Sequence, residues 1–329
     1  MVIVKFDSRW IGEHGIGRFA REIDQRLNFP SLNMNGNPSS PLEPLRLFLF
    51  ILFQIGKVKA VFSPGYNAPL FFLRPYIFTI HDLNHIDRPE NSSVMKRLYY
   101  RLIMRRACIK AHRVLTVSEF SRNRIATWAG IDIDKVINVG NGVDGNYHPD
   151  ATPWNPGYKY FLCVSNRKAH KNEIRVLEAF LLSKIDVDVR LVFTGNENES
   201  IRRQIEALNL SNRVVFTGRV PEENLPGLYT GSLALLFPSL YEGFGLPVIE
   251  AMACGIPVLT SNTTCLPEIA GDAAILVDPE SVSEIAGGIR DLFYNQKLRT
   301  DMRDKGLVQA KNFSWDKTAE KIKSVINSL

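Results

Sequence analysis

Glu242 and Glu250 flank a turn that reads Pro238-Ser-Leu-Tyr-Glu-Gly-Phe-Gly-Leu-Pro-Val-Ile-Glu250. An apolar run precedes the turn and a helical pattern follows it. Pro247 falls in the first helical turn, where its missing N–H costs nothing. Gly243 and Gly245 let the backbone come close to a bound group, and the free N–H groups of the helix start favour a phosphate or a polar sugar there. Carboxylates at this spacing can both face one ligand and accept hydrogen bonds from vicinal hydroxyls. By spacing alone a second reading stands beside this one: Glu250 as a solvated helix residue, and the glycines as marks of a tight turn.

Three further clusters have residue types that do chemistry. His81-Asp-Leu-Asn-His85 sets two histidines four apart, a metal spacing on a helix. It follows an apolar run at 76–80, however, and side chains just beyond a strand's C-terminal end enter a ligand crevice in open α/β sheets. Gly15-Ile-Gly17-Arg-Phe-Ala20 satisfies a dinucleotide fingerprint formally, but the acidic residue expected about 20 positions on is replaced by Ser31-Leu-Asn-Met-Asn-Gly-Asn-Pro-Ser-Ser40. A nicotinamide site fails at that step. The tripeptides Asp132-Ile-Asp134 and Asp186-Val-Asp188 raise a divalent-cation reading, as D-x-D does after a strand, but both precede apolar runs and read as polar turns.

Short apolar runs alternate with helical patterns throughout, as β-α units require. Strands are expected at 2–6, 60–62, 76–80, 114–117 and 136–139, then at 160–164, 190–194, 214–217, 233–237, 257–260 and 274–277. Helices are expected at 18–27, 94–111, 174–182, 201–208 and 248–253, with three closing patterns at 280–294, 297–311 and 315–328. The run 140–157, dense in Gly, Pro, Asn and Asp, separates the two series. Residues 1–145 are therefore expected to form a first domain and 146–312 a second, with 313–329 as a closing helix that either covers another sheet or crosses back to the first.

Of the 329 residues, 45% are apolar and 22% charged, a composition that excludes disordered and collagen-like classes. Four scattered cysteines without a C-x-x-C pair exclude a disulfide scaffold and a structural zinc site. The N-terminus lacks the apolar core of a signal peptide, so a cytoplasmic protein is expected. The first 150 residues carry 20 basic against 13 acidic side chains, and the remainder 20 against 21, so the positive excess lies wholly in the front half. An anionic partner is implied there. Residues 94–113 hold seven Lys or Arg and no acid, with Arg97, Arg101 and Arg105 on one helix face and Leu98, Leu102 and Ala107 largely on another. That segment suits the anionic headgroups of a membrane, or is simply a solvated helix face. Nucleic acid is disfavoured, because no aromatic stacking platform accompanies the charge. The run 45–55 is too short to span a bilayer and reads as a buried helix of the first domain, with a helix that dips into a membrane interface as the second reading.

The segment Glu242-Gly-Phe-Gly-Leu-Pro-x-x-Glu250-Ala-Met-Ala-x-Gly-x-Pro-Val258 resembles the retaining family 4, or group 1, glycosyltransferases. Further matches extend the resemblance over most of the chain: Gly15-Ile-Gly17-Arg-Phe-Ala20, Thr79-Ile-His81-Asp82, Val117-Ser118-x-x-Ser121, Asn141-Gly-Val-Asp144, Thr194-Gly195, Phe216-Thr-Gly218, Leu266-Pro-Glu268 and Gly271-Asp-Ala-Ala274. The resemblance implies an α/β, GT-B fold of two Rossmann-like, doubly wound parallel-sheet domains facing an interdomain cleft. It implies that Glu242, His81 and Asp82 serve the transferred sugar, that Glu250 holds the nucleotide ribose, and that Gly15 and Gly17 lie beside the donor phosphates. A basic pair after the first strand of the second domain neutralises the donor pyrophosphate in that family. Lys171 is one member here; Arg167 is the other, with Lys168 in competition. Gly243, Phe244, Gly245 and Leu246 complete the donor loop, and main-chain atoms near Arg219 and Val220 contact the base. No metal or other cofactor is expected.

The expected reaction moves a hexose, with mannose from GDP-mannose the first choice, from a nucleotide diphosphate sugar to a hydroxyl of a lipid-linked glycan, as in bacterial O-antigen mannosyltransferases. Rival readings are a nucleotide-sugar epimerase of the same architecture, a nicotinamide oxidoreductase, and a membrane-associated binding subunit without activity.

Overall fold

The computed structural model describes residues 4–329. The chain divides into two units: the first runs to Gly142 and resumes at Ser314–Leu329, and the second is Val143–Phe313. The division falls after 142, three residues ahead of the expected 145.

The first unit holds strands β1 (Val4–Phe6), β2 (Ala60–Ser63), β3 (Tyr76–Thr79), β4 (Arg113–Thr116) and β5 (Val136–Asn138) in one parallel sheet of order β1-β2-β3-β4-β5. Positions 2 and 3 of the expected first strand lie outside the described residues. Every residue of β2 and β3 is buried, the pattern of a parallel strand covered on both faces. A bridge from Phe6 to Ser31 lies on the edge of β1 away from β2, so the direction of winding reverses between those strands. The second unit holds β6 (Tyr160–Cys163), β7 (Arg190–Phe193), β8 (Val214–Phe216), β9 (Leu235–Phe237), β10 (Val258–Ser261) and β11 (Ala274–Val277) in a parallel sheet of order β11-β10-β9-β6-β7-β8. Winding goes outward through β7 and β8, then returns to the other side of β6, which makes β6 and β9 the switch point.

Helix starts follow their caps. Helix Gly15–Leu27 begins three residues before its expected position because the His14 ring accepts from the Gly17 N–H, and histidine is outside the usual set of capping residues. Asn198 caps Glu199–Ala207 and Ser281 caps Val282–Tyr294 in the ordinary way. Both D-x-D tripeptides close turns: Asp132 Oδ1 accepts from Asp134 N at 2.8 Å, and Asp186 Oδ1 from Asp188 N at 3.0 Å.

Two sequence expectations need correction. The helix over the 45–55 run, Glu43–Phe53, is buried on one face only, through Leu47 and Ile51; Leu45, Leu49, Leu52 and Phe53 are exposed. The basic segment is also differently disposed. A wide π turn, Tyr100–Met104, interrupts the helix between Val94–Tyr99 and Arg105–Lys110. The inner face is Tyr100, Met104, Ala107 and Cys108, while Leu98 and Leu102 lie outside with the arginines instead of packing with Ala107.

Helix Trp315–Asn327 completes the first unit. Trp315 is buried, its ring 6.3 Å from that of Phe19, and its backbone sits so close to Gly142 that a Cβ there would lie 2.1 Å from Trp315 N. Arg26 Nε adds a 2.6 Å bond to Asp316. Trp315→Ala is expected to destabilise the first unit by about 3–5 kcal/mol, the cost of emptying a large aromatic site; denaturant unfolding checks it, and a loss below about 1 kcal/mol would show that this helix is not an integral part.

Candidate active site

Loops that follow β6 and β9 leave the same edge of the second sheet at its switch point, the ordinary ligand position of a doubly wound fold. Lys171 ends the 3₁₀ turn Ala169–Lys171 in the first loop, and Glu242 lies in the second. Their side chains meet, with Lys171 Nζ 2.7 Å from Glu242 Oε1 and both mostly buried. The ammonium also stands 4.7 Å from the centre of the Phe237 ring, which gives it a favourable aromatic face.

Backbone ties hold both loops. Asn172, in the left-handed conformation at φ 62°, donates through Nδ2 to the carbonyls of Pro238 at 2.9 Å and Pro279 at 2.6 Å. Leu240 N donates to His170 O at 2.8 Å, and Ser261 Oγ to Ser239 O at 2.6 Å. The second loop ends at Gly245, φ 97°, the cap of helix Leu246–Ala253. A Cβ at Gly245 would sit 2.7 Å from Leu266 Cδ2, so the turn needs glycine for space as well as for its dihedral angle. Gly243 and Phe244 are buried, with Phe244 edge-on to Phe313 at 5.6 Å, and Leu246 is half-buried at the helix start.

Glu250 lies on the same helix and is buried, and its Oε2 accepts a 2.7 Å bond from the Tyr229 hydroxyl. The reading of Glu250 as a solvated residue is therefore excluded. Burial, with the Glu250 carboxylate beside it, pushes the Tyr229 hydroxyl well above its usual range, so Tyr229 stays a donor. Sequence reasoning missed Tyr229, and nothing in Leu228-Tyr229-Thr230 marks it out. Val220 is half-buried in the loop after β8, two strands away from β6 in the sheet.

Arg167 is tied to its own loop and to the neighbouring strand end. Its guanidinium binds the Glu173 carboxylate and the Thr194 carbonyl, donates to Asn196 O at 2.9 Å, and lies over the rings of Phe193 and Phe216. Lys168 is exposed on the same turn.

In the first unit, loops after β1, β2 and β3 meet at the corresponding edge. Asp7 is bound by Arg9 and by Asn67 Nδ2 at 2.8 Å, and Trp10 Nε1 donates to Asn67 Oδ1 at 3.1 Å. These bonds fix the segment that leads into Gly15 and Gly17. A Cβ at Gly17 would lie 2.5 Å from the Gly12 backbone, so this helix start packs directly against its own loop. His81 is buried edge-on to Phe19 at 5.0 Å, and its Nε2 is 2.9 Å from Pro64 O. A carbonyl only accepts, so Nε2 carries the proton and Nδ1 is the acceptor. Burial lowers the pKa of His81 to about 4, which keeps the ring neutral at pH 7. Asp82 Oδ1 accepts from Asn84 N at 2.9 Å, and its backbone N–H donates to the Tyr66 hydroxyl at 2.9 Å. His85 Nδ1 is 2.7 Å from Asn91 O, so the two histidines have different partners.

The chain is similar to known proteins in sequence and in fold. The profile of the family described as glycosyl transferases group 1 matches residues 148–309, and that of glycosyltransferase family 4 matches 14–146. O-antigen chain mannosyltransferase B of Escherichia coli is 31% identical over 76% of this chain and 71% of its own length. An O-antigen chain mannosyltransferase of Salmonella typhimurium is 27% identical over 81% and 76%. Among solved structures, HepE of Anabaena, crystallised with UDP and glucose, superposes with a TM-score of 0.78 at 18% identity and full coverage of both chains. WaaG, a glycosyltransferase involved in lipopolysaccharide biosynthesis, gives 0.75 at 15% identity, covering 98% of this chain and 99% of its own. The two parallel sheets have the GT-B architecture, and the chain belongs to the group 1, family 4 glycosyltransferases.

Proposed function

We propose that this glycosyltransferase moves mannose from GDP-mannose, with retention at the anomeric carbon, to a hydroxyl of a lipid-linked glycan in O-antigen synthesis. The observation that carries the donor assignment is the Lys171–Glu242 pair at the switch point, beside the glycine-capped helix that bears Glu250. The mannosyltransferases among its relatives support the sugar. The acceptor would be met at the cytoplasmic membrane face, with the basic 94–113 segment against anionic lipid.

In this reading Lys171 holds the diphosphate, and its charge is worth most when bond cleavage builds negative charge on the leaving group. Lys168, exposed on the same turn, is the second cation; Arg167 acts indirectly by fixing the loop through Glu173 and two carbonyls. Glu250, oriented by Tyr229, accepts from the ribose hydroxyls. Glu242 accepts from the sugar, and the main chain of Gly243 to Leu246 and of Val220 lines the donor. Neutral His81 offers an uncharged imidazole to a sugar hydroxyl, with Asp82, Gly15 and Gly17 beside it in the loop cluster of the first unit. The bond from the anomeric carbon to the diphosphate oxygen breaks, and a bond to the acceptor oxygen forms on the same face. The acceptor proton passes to the departing phosphate. Basic side chains and a helix N-terminus meet the charge, so no metal or other cofactor is assigned.

Lys171→Ala should lose about 1.5–3 kcal/mol of charged hydrogen bonding, seen as a fall in turnover and in the thermal shift caused by GDP, which should exceed the shifts caused by UDP or ADP. Unchanged turnover would remove Lys171 from the diphosphate. A new nucleotide sugar formed without acceptor would favour the epimerase. Glu242→Gln frees Lys171 from its carboxylate and should tighten GDP binding while lowering sugar transfer; weaker GDP binding would mean that Glu242 holds the nucleotide itself. His81 binds its proton more weakly folded than unfolded, so its contribution is complete above pH 6.5 and is lost as pH falls towards 4. Acid unfolding across that window should be flatter in His81→Asn than in the parent, by up to about 3 kcal/mol in total.

A further inference from the structure

Helix Glu43–Phe53 is apolar on both faces, and only one is covered. Leu47 and Ile51 enter the core of the first unit; Leu45, Leu49 and Leu52 face out, and Phe53 is 82% exposed. A helix apolar all round belongs inside a protein or against lipid. Across a short loop stands the second exposed series, Val94, Met95, Leu98, Leu102 and Ile109, on the basic helical segment. The loop joins them. Phe71 lies edge-on to Phe48 at 5.2 Å, the Arg106 guanidinium is 5.2 Å from the centre of the Phe71 ring, and Arg106 Nη1 donates to Leu70 O at 2.9 Å. Leu70 N in turn donates to Pro44 O at 2.8 Å, at the start of the first helix.

We propose that these two helices and the Phe71 loop form one docking face that inserts into the interfacial layer of an anionic bilayer, with Leu49, Leu52 and Phe53 as the inserted side chains. The proposal rests on the membrane contact assigned above to 94–113 and adds a second, apolar element to it. Charge selects the partner. Arg46, Lys57, Arg97, Arg101, Arg105 and Lys110 are exposed on or beside the same elements, and 94–113 contains no acid. A second copy would set like charges against each other, whereas an anionic leaflet neutralises them as the apolar side chains enter. Among the described residues no helix is long and apolar enough to cross a membrane, so attachment by this face lies along the surface.

Co-sedimentation of the full chain with phosphatidylglycerol-containing vesicles, and with phosphatidylcholine vesicles as control, tests the proposal at low salt and at about 0.5 M NaCl, where the screening length is only a few ångströms. Binding to the anionic vesicles should persist partly at high salt. Phe53→Asp and Leu49→Asp, both on exposed positions, should lose that salt-resistant fraction by about tenfold or more while keeping low-salt binding and turnover on a soluble acceptor. Arg101→Glu with Arg105→Glu should instead weaken the low-salt binding. Complete release of the parent by salt, with no effect of Phe53→Asp, would overturn the apolar face and leave the basic contact standing. No binding to anionic vesicles at either salt would overturn both. A concentration-dependent dimer of the parent that Phe53→Asp dissolves would give the face to a second copy and also overturn the proposal.

Discussion

A parallel sheet sends every strand in the same direction, so all its β-to-α loops emerge at one edge, and they part most widely where winding reverses. Between β6 and β9 that gap is lined by two loops of different chemistry, one basic and one acidic. Almost everything else in the second unit serves to keep those loops in register. Asn172 spans to Pro238 and Pro279, His170 receives Leu240, and Gly245 allows the chain to enter its helix without a side chain in the way. A lysine and a glutamate brought together with most of their water removed give up hydration that their attraction only partly returns. Such a pair is weak as a source of stability. Under the proposed function such a pair suits partners that come and go, because a diphosphate and a sugar hydroxyl would offer the same two groups what they offer each other.

The same loops show why charge alone is a poor guide to contact. Arg167 and Lys171 are four residues apart on one turn, yet one guanidinium is committed to Glu173, Thr194 and Asn196 while the ammonium faces the acidic loop. Arg167 supports the turn in its own left-handed conformation, φ 61°, and so contributes shape where Lys171 contributes charge.

The strand and helix pattern and the turns that carry Glu242, Glu250 and Lys171 were legible because each leaves a local mark: apolar runs of strand length, paired glycines before a proline, a charged residue in a turn. The bond between Tyr229 and Glu250 joins residues 21 apart through tertiary folding, and that from Arg167 to Thr194 spans 27. Periodicity says nothing of either. The helix at 43–53 failed differently. Its composition correctly gives a helix, but an apolar residue reads the same whether it faces a core or the outside, and only packing separates Leu47 from Leu49. The extent of helix Gly15–Leu27 was missed because its cap is a histidine ring, which turn statistics do not favour.

The first unit includes residues 314–329, which follow the whole of the second in the chain. During synthesis the second sheet is therefore made, and free to fold, while the first still lacks the tryptophan that fills the space beside Phe19. Until that last helix emerges, the nascent first half must wait with part of its interior open to chaperones and proteases.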